Sequence, residues 1–516
     1  MSRGGERGSY RAGFFFGALS FFASVGLGFV STVITARLYG VKVIGEFALV
    51  WAPVAVMWTL SSIKEQQALI REITQLQPRE PRVTQLFAAV FTFSFALTVA
   101  VAILDAIASY FLFRGPLHQP DLLAPALVSI AGYTLILNTC WNLDSILSAF
   151  VAGRKLFWVR LNENLSFIVL ATGVGLAWRS VWGLVIGTIG ASAATLVQRL
   201  LYAHGFARFR LSWAEFRAGL RSLPELLRFG LKATPGQMAT GIAQQGGIWA
   251  IGMVAPVAVV GAYSRALVIP KSLQTASMKI TEVLFPTLVG RKSEGDGHGF
   301  DRALIDSIRY ETIGMLLFAA TIGGAAHAVL KIFGSGFDAA APALALLAVY
   351  PALASVTVTQ TQGLWAVDRP GLTSLIAIAR LVLTIALLVV LTPHMHMVGP
   401  ALSLLVGFAV VIVLSGLALR GHLERPLRAT WPRRERLILV LAYAAGFGAA
   451  HAVEGLTVPV LAIPLALAAG GLAFVLVLAL CGGVNGRDRR RLADAGAALR
   501  ARFGRGPGQP PLQAET

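Results

Sequence analysis

Long apolar stretches alternate with short polar ones along almost the whole chain. Most apolar stretches are about 18 to 25 residues long, and a helix of that length crosses the roughly 30 Å hydrocarbon layer of a bilayer. None shows the alternating pattern of a barrel strand, so they predict helices. We count about fourteen such spans, near 13–36, 43–63, 86–110, 123–147, 163–178, 183–203, 234–255, 257–285, 306–330, 341–366, 373–392, 399–418, 437–455 and 457–481.

The composition supports an all-α polytopic membrane protein. Hydrophobic residues make up 56% of the 516 residues and charged residues 13%, where soluble domains carry about 25% charged residues. With the N-terminus inside, most of the 44 lysines and arginines fall on the cytoplasmic side. This positive-inside bias predicts that both termini are cytoplasmic. It also accounts for the net charge of +19 without nucleic-acid binding.

The remaining segments predict few other features. The run from Phe14 is too long for a signal peptide and is expected to be the first span. Cys140 and Cys481 stand in or beside apolar spans with no metal-ligand partner nearby, so we expect no disulfide, metal or cofactor. The segment 204–233 alternates aromatic and arginine residues, which predicts an amphipathic cytoplasmic linker helix.

Two stretches of the chain repeat each other. Ile34–Pro53 and Trp249–Pro270 each break an apolar run, at Gly40 and at Pro256, and then restart. An offset of 216 residues relates Gly45 to Gly261. A membrane protein built from two such halves is typically a transporter, because the cleft between the halves can open to either side.

The repeat predicts how the chain is organised. We expect an N-terminal six-helix lobe at 1–203, the linker at 204–233, a C-terminal six-helix lobe at 234–420, two further helices at 421–481 and a basic, disordered cytoplasmic tail at 482–516.

The eighth span, 257–285, carries cations inside an apolar run. A charge near the bilayer centre costs about 2.5–3.5 kcal/mol on insertion scales, so Arg265 and Lys271 are expected to face a cavity. Tyr263 and Ser264 beside Arg265, and Gln360 in the tenth span, are further candidates for binding a sugar or a diphosphate. Lys271 has the alternative of extending to the headgroups. Pro270 is a candidate gating kink or an ordinary membrane proline.

The first half lacks these cations, since the repeat aligns Leu49 and Ala55 with Arg265 and Lys271. Its polar residues are of another kind. They are Glu65 after the second span and Asn138, Asn142 and Asp144 in the fourth. We consider them candidates for lining the cavity or for binding a coupling ion. Helix–helix hydrogen bonding and pairing of Asp144 with an arginine are the alternatives.

Three motifs of the first half are ARLYG at Ala36–Gly40, IGEF at Ile44–Phe47 and QQALIREI at Gln66–Ile73. They resemble the polysaccharide and O-antigen flippases of the Wzx type. In the second half, LLRFGLKATPGQM, VVGAYSRALVIPKSL, TEVLFPTL and GLWAVDRP follow the order seen in that family, as does Ile332–Pro351. The resemblance covers about residues 13–420.

The resemblance implies two six-helix lobes in a V with two added helices. It also implies a function: moving a polyprenyl-diphosphate-linked oligosaccharide across a bacterial inner membrane for surface polysaccharide assembly. The expected partners are that glycan lipid, membrane lipid and the polysaccharide polymerase or chain-length machinery. A monomer is expected.

Other functions stay open at this point. Multidrug and toxin exporters share the twelve-helix core, but the basic eighth span favours an anionic cargo. Lipid II flippases also have fourteen spans, although their Arg-Asp pair near the first helix is missing here. A membrane-embedded polymerase or ligase needs a large outer loop with catalytic groups, and the outer loops here are short, so we expect no enzyme and no catalytic residue.

Overall fold

The computed structural model describes residues 10–62, 65–207, 217, 223–424, 432–455 and 459–483. Every regular element within these ranges is helical. Helices satisfy their own backbone hydrogen bonds, which lipid cannot do for them. The predicted all-α architecture is therefore confirmed. Part of the predicted linker, at 208–216 and 218–222, and almost all of the predicted tail, at 484–516, lie outside the described residues.

The first half consists of seven helices. They are α1 Tyr10–Leu60, α2 Glu65–Thr74, α3 Pro81–Arg114, α4 Leu123–Gly132, α5 Asn138–Ala149, α6 Gly153–Ala177 and α7 Val181–His204. A π-helical turn at Tyr133–Leu137 joins α4 to α5. Within α1 the backbone breaks at Gly40, where φ is 77°, a value that glycine adopts without a side-chain clash. The break divides α1 into two helical halves.

The second half continues with α8 Leu223–Val254, α9 Val257–Ser293, α10 Gly297–Gly324, α11 Ala326–Lys331, α12 Ala341–Leu347, α13 Tyr350–Ala366, α14 Pro370–Met395 and α15 Val398–Leu419. Two more helices follow, α16 Arg433–Glu454 and α17 Pro459–Leu480. Gly40 and Pro256 lie at one end of the bundle, which we call the Pro256 end. The chain turns from α5 into α6 at the opposite end, the Gly153 end.

Nine helical segments among the described residues are long and apolar enough to cross a membrane. One of them contains both halves of α1. Four further helices, α6, α8, α9 and α10, are 25, 32, 37 and 28 residues long but carry more charged groups. The count of fourteen spans therefore stays a prediction.

Some boundaries differ from those expected from hydropathy. The fifth span was predicted to begin at residue 163, but α6 begins at Gly153. The seventh was predicted to begin at 234, and α8 begins at Leu223 inside the predicted linker. In α6 the reason is physical. Arg160 and Glu163 lower the local hydropathy, but they form ion pairs inside the lobe and the helix continues through them.

The two repeated segments contact each other at glycines. A Cβ on Gly45 would lie 2.0 Å from the carbonyl oxygen of Val257, and a Cβ on Gly261 would lie 2.0 Å from that of Val41. These four residues are matching positions of the repeat, so the contact is reciprocal, as expected at an internal twofold axis. Small residues permit such a close backbone approach between membrane helices. The second half of α1 and α9 thus join the two lobes near the Pro256 end.

Other glycines fix the helices beside this crossing. A Cβ on Gly252 of α8 would lie 2.7 Å from a methyl carbon of Leu49, and one on Gly241 would lie 2.4 Å from Thr59 Oγ1. Helix α8 therefore packs along the second half of α1. By contrast, Gly26 and Gly28 in the first half of α1 have open space where a Cβ would be.

The last two helices attach to α10. Gly324 leaves no room for a Cβ beside the backbone of Phe447 in α16. At the Gly153 end, Arg309 of α10 pairs with Glu435 at 2.5 Å and donates to the carbonyl of Gly483 at 3.2 Å. Helices α16 and α17 therefore pack on the outside of the C-terminal lobe.

Replacing Gly45 or Gly261 with alanine is expected to lower the thermal stability of the protein in detergent. A methyl group 2.0 Å from a carbonyl oxygen must push the two helices apart, and overpacking of this kind costs about 1–3 kcal/mol. Unfolding temperatures of the purified variants measure the effect.

Gly26→Ala is the matched control, because it adds the same methyl group to a membrane helix where nothing lies within 4 Å. It should leave the unfolding temperature unchanged or raise it slightly. Equal unfolding temperatures for all three variants would contradict the crossing.

Candidate functional site

Helix α9 places the predicted cations inside the bundle. At about 1.5 Å per residue, Arg265 lies about 12 Å and Lys271 about 21 Å along the helix from its start at Val257. Both side chains are half-buried. The guanidinium Nε of Arg265 has no hydrogen-bond partner, and neither residue forms an ion pair with another described residue. Pro270 is buried within the same helix.

The neighbours of Arg265 do not share its face. Tyr263 is 2% exposed and belongs to the main apolar core, about 160° around the helix from Arg265. The hydroxyl of Ser264 donates to the carbonyl of Gly261 at 2.8 Å. The structure therefore does not bring Tyr263 and Arg265 together, and it uses the Ser264 hydroxyl within the helix.

A third cation lies on α14. Arg380 is 2% exposed, and its guanidinium carbon lies 3.6 Å from the centre of the Phe408 ring. Its Nε and Nη2 atoms have no hydrogen-bond partner among the described residues. Gly407 makes room for Thr384, one turn after Arg380, because a Cβ there would lie 2.6 Å from Thr384 Oγ1.

Contacts between side chains connect Arg380 to α9. The Phe408 ring packs on the Tyr350 ring with centroids 5.2 Å apart. The Tyr350 hydroxyl donates to the side-chain oxygen of Gln274, which stands one turn after Lys271 on α9. The interior of the C-terminal lobe thus holds three cations, Arg265, Lys271 and Arg380, that no described carboxylate neutralises.

Two further buried polar side chains of this lobe are Gln360 and Glu311. Gln360 of α13 is 4% exposed, and its side-chain oxygen has no partner in the described part of the chain. The neighbouring Thr359 donates to the carboxylate of Glu311 on α10 at 2.8 Å. Glu311 forms no ion pair within the described ranges.

The predicted asparagines of the N-terminal lobe bind each other. Asn142 donates to the Asn138 carbonyl at 2.8 Å and to its side-chain oxygen at 3.2 Å. The hydroxyl of Ser94 on α3 donates to the same side-chain oxygen at 3.3 Å. These contacts connect α3 to α5. Glu65 is the first residue of α2, and its side chain lies outside the described residues.

Asp144 belongs to a ring of four charges. Its two carboxylate oxygens pair with Arg199 Nε at 3.0 Å and with Arg160 Nη2 at 2.9 Å. Glu163 Oε2 pairs with Arg199 Nη2 at 2.8 Å and with Arg160 Nη1 at 3.1 Å. Two guanidiniums thus balance two carboxylates between α5, α6 and α7. We call these four residues the charge ring.

The charge ring is completed by hydroxyl groups of α7. Ser192 donates to Glu163 Oε1 at 3.0 Å, and Arg199 Nη1 donates to the hydroxyl of Thr195. Buried charges are tolerated only when they are paired and hydrogen-bonded in this way. The electrostatic contrast between the lobes is therefore clear. The charge ring of the N-terminal lobe is balanced, whereas Arg265, Lys271 and Arg380 of the C-terminal lobe, like its buried Glu311, form no ion pair among the described residues.

Contacts between the lobes close the Pro256 end. Arg37 of α1 donates from Nε to the carbonyl of Ile332 at 2.7 Å, and the rings of Phe29 and Phe333 meet edge to face at 5.9 Å. A cavity of about 630 Å³ lies at this junction, lined by Arg37, Lys331, Gly334, Ser335, Gly336 and Asp338.

Comparison with known families decides the assignment. Residues 34–342 match the family model described as polysaccharide biosynthesis protein. The chain belongs to this family. A comparison with curated protein sequences finds no match.

Solved structures show the fold of this polysaccharide biosynthesis protein. It is similar to the lipid II flippase MurJ in an inward closed conformation, with a TM-score of 0.70 and 12% identity over 90% of this chain and 98% of that one. The similarity to an inward-facing multidrug resistance MATE transporter of the MOP superfamily has a TM-score of 0.59 and 16% identity. It covers 80% of this chain and 94% of that one. For a MOP superfamily transporter from Pyrococcus furiosus, the TM-score is 0.57 and the identity 17%, over 82% of this chain and 97% of that one. The superfamily fold expected from the sequence is thereby confirmed.

Arg160, Glu163, Arg199 and Arg380 of this polysaccharide biosynthesis protein were not predicted as functional residues from the sequence. Arg160, Glu163 and Arg199 stand at or before the edges of predicted spans, where charged residues usually contact headgroups or water. Arg380 stands in the middle of the eleventh span, so the reasoning applied to Arg265 would have identified it.

The charge ring and Arg380 predict opposite effects of removing a buried arginine. Arg199→Met leaves two carboxylates with only Arg160, and breaking a buried ion pair costs about 3–5 kcal/mol. Arg380→Met removes a charge that has no counter-ion, so the variant should unfold at a higher temperature than the wild type. Thermal unfolding in one detergent measures both, with the exposed Arg179→Met as control. A higher unfolding temperature for Arg199→Met, or a lower one for Arg380→Met, would contradict this description.

Proposed function

We propose that the protein is a flippase for a polyprenyl-diphosphate-linked oligosaccharide. It moves the glycan by alternating access across the cytoplasmic membrane of a bacterium, and the glycan serves assembly of a surface polysaccharide. The observation that carries this proposal is the set of unneutralised cations inside the C-terminal lobe. Because an unpaired buried charge is costly, its retention in three places favours a negatively charged cargo.

The chemistry of the cargo matches these cations. A diphosphate carries charge that cannot cross hydrocarbon unaided, and arginine and lysine are the side chains that bind phosphate oxygens best. The lipid tail has no such difficulty and needs only a gap between the lobes. The open space beside Gly26 and Gly28 in the first half of α1 supports a lateral opening there, since α8 packs on the second half of α1.

The orientation belongs to the same proposal. The positive-inside bias assigns the Gly153 end to the cytoplasm, and the cargo is proposed to enter from the cytoplasmic leaflet at that end. Pro270 lies between Arg265 and Lys271 and is proposed as the bend at which α9 changes shape during opening. The protein is proposed to act as a monomer and to transfer its cargo to the polysaccharide polymerase machinery.

Two alternatives follow from the fold. Lipid II flippase activity is favoured by the similarity to MurJ, and its cargo would use the same cations. Multidrug export is favoured by the similarity to the MATE transporters, but a cationic drug would be repelled by Arg265, Lys271 and Arg380. An enzymatic function has no support from a metal cluster, because the described residues contain no group of three metal-binding side chains.

Transbilayer movement of a labelled polyprenyl-diphosphate oligosaccharide tests the proposal in liposomes that hold the purified protein. The wild type should move the lipid, and Arg265→Gln or Lys271→Gln should slow it at least about tenfold, because each removes a charged hydrogen bond of about 1.5–3 kcal/mol.

Lys292→Gln is the matched control, since Lys292 is exposed in the last turn of the same helix. It should move the lipid at the wild-type rate. Export of a cationic dye without movement of any glycan lipid would contradict the flippase and favour the multidrug exporter. A lipid II substrate moved in preference to other glycans would favour the lipid II alternative.

A further inference from the structure

The four members of the charge ring are unequally exposed. The side chain of Arg199 is 0% exposed, whereas that of Arg160 is 38% exposed, although both contact the same two carboxylates. Arg160 therefore lies at the accessible edge of the charge ring, and Arg199 lies at its centre.

The exposure of Arg160 is toward the interior of the protein and not toward lipid. The exposed large apolar side chains of α6 are Trp158, Leu165, Val169 and Leu176, which are 44%, 44%, 68% and 71% exposed. With about 3.6 residues per turn, these four lie about 140–180° around the helix from Arg160. The accessible face of the guanidinium thus adjoins space inside the bundle.

The depth of Arg160 is suited to a cargo that enters from the Gly153 end. It lies seven residues after the start of α6 at Gly153, or about 10 Å along the helix. Lys271 lies about 21 Å along α9 from the Pro256 end, which is about 9 Å from the opposite surface of a 30 Å layer. The two cations therefore stand at similar depths, one in each lobe.

Without Arg160, Arg199 would still contact both carboxylates. Its Nε binds Asp144 and its Nη2 binds Glu163. The departure of Arg160 would therefore leave each carboxylate with one guanidinium contact, and Ser192 would still donate to Glu163. Of the two arginines, only Arg160 combines an accessible side chain with a role that its partner duplicates.

We infer that Arg160 exchanges its partners. It dissociates from the carboxylates of Asp144 and Glu163 and binds the diphosphate of the cargo instead. This inference rests on the proposed function and adds an N-terminal-lobe contact to the anion site. Asp144 and Glu163 then act as internal competitors of the cargo. Because Asp144 belongs to α5 and Arg160 to α6, cargo binding removes one ion pair between these helices and loosens their contact at the Gly153 end.

Competition makes an unusual prediction. Asp144→Asn removes one competing charge while keeping an oxygen that can accept from Arg199. It should therefore bind inorganic pyrophosphate about tenfold more tightly than the wild type, which corresponds to one charged hydrogen bond. Arg160→Gln should bind it about tenfold more weakly. The double variant Asp144→Asn/Arg160→Gln should show no gain over Arg160→Gln. Calorimetry on the purified full-length protein measures these affinities.

Glu163→Gln provides a second test if Asp144→Asn fails to fold, and it should also tighten binding. Glu311→Gln is the control for general electrostatics, because it neutralises a buried acid of the other lobe that does not contact Arg160. Its affinity should stay within about twofold of the wild type, less than the effect of a charged hydrogen bond.

The outcomes distinguish this inference from the proposed function. A wild type that binds pyrophosphate, with Asp144→Asn and Glu163→Gln unchanged or weaker, would overturn the exchange and leave the flippase intact. The same gain in Glu311→Gln, or a gain that persists without Arg160, would also overturn it. Failure of the wild type and of all carboxylate variants to bind either pyrophosphate or a polyprenyl diphosphate would overturn both proposals.

Discussion

The crossing of Gly45 and Gly261 is the contact on which the rest of the structure depends. The reciprocal approach of each Cα to a carbonyl of the other helix leaves no space for any side chain. It brings the two repeated segments together near the Pro256 end and joins the lobes there, alongside the contacts of Arg37 and Phe29. Helix α8 also packs on the second half of α1 as far as Thr59. The two lobes are therefore in contact along this half of α1, and the glycine crossing is the closest backbone approach within that contact.

The symmetry of the backbone does not extend to charge. Leu49 and Ala55 occupy the positions that the repeat aligns with Arg265 and Lys271. The N-terminal lobe instead balances four charges in the charge ring, and the C-terminal lobe keeps Arg265, Lys271 and Arg380 without counter-ions among the described residues. The repeated fold by itself does not require this difference in charge between the two lobes. A protein that must attract an anion and then release it requires cations whose charge is available.

Much of the fold could be predicted from the sequence because lipid imposes a simple rule. Long apolar runs must form helices there, so the all-α architecture, the break at Gly40 and the paired glycines could all be recognised. The start of α6 could not. Hydropathy begins the span at Glu163 and leaves Arg160 outside it. The partners of these residues on other helices, Asp144 and Arg199, are brought to them only by the tertiary structure. The number of spans stays a prediction.

The candidate site was predictable in part for the same reason. Arg265 and Lys271 could be recognised as charges within an apolar run, and Arg380 satisfies the same criterion. Tyr263 was chosen because it is adjacent in sequence, but adjacent positions on a helix point about 100° apart and alternate ones about 160°. The charge ring depends on contacts among α5, α6 and α7 that no spacing within one segment reveals.

A distance measurement between the lobes would test most directly whether an anionic cargo drives this protein. Spin labels at Arg154, in the first turn of α6, and at Gly371, in the first turn of α14, would report on the distance between the lobes. The background would have Cys481 replaced by serine. If the lobes pivot at the glycine crossing around an anionic cargo, a polyprenyl-diphosphate oligosaccharide should shift the distance distribution and a cationic dye should not. A shift produced by the dye alone would contradict the account.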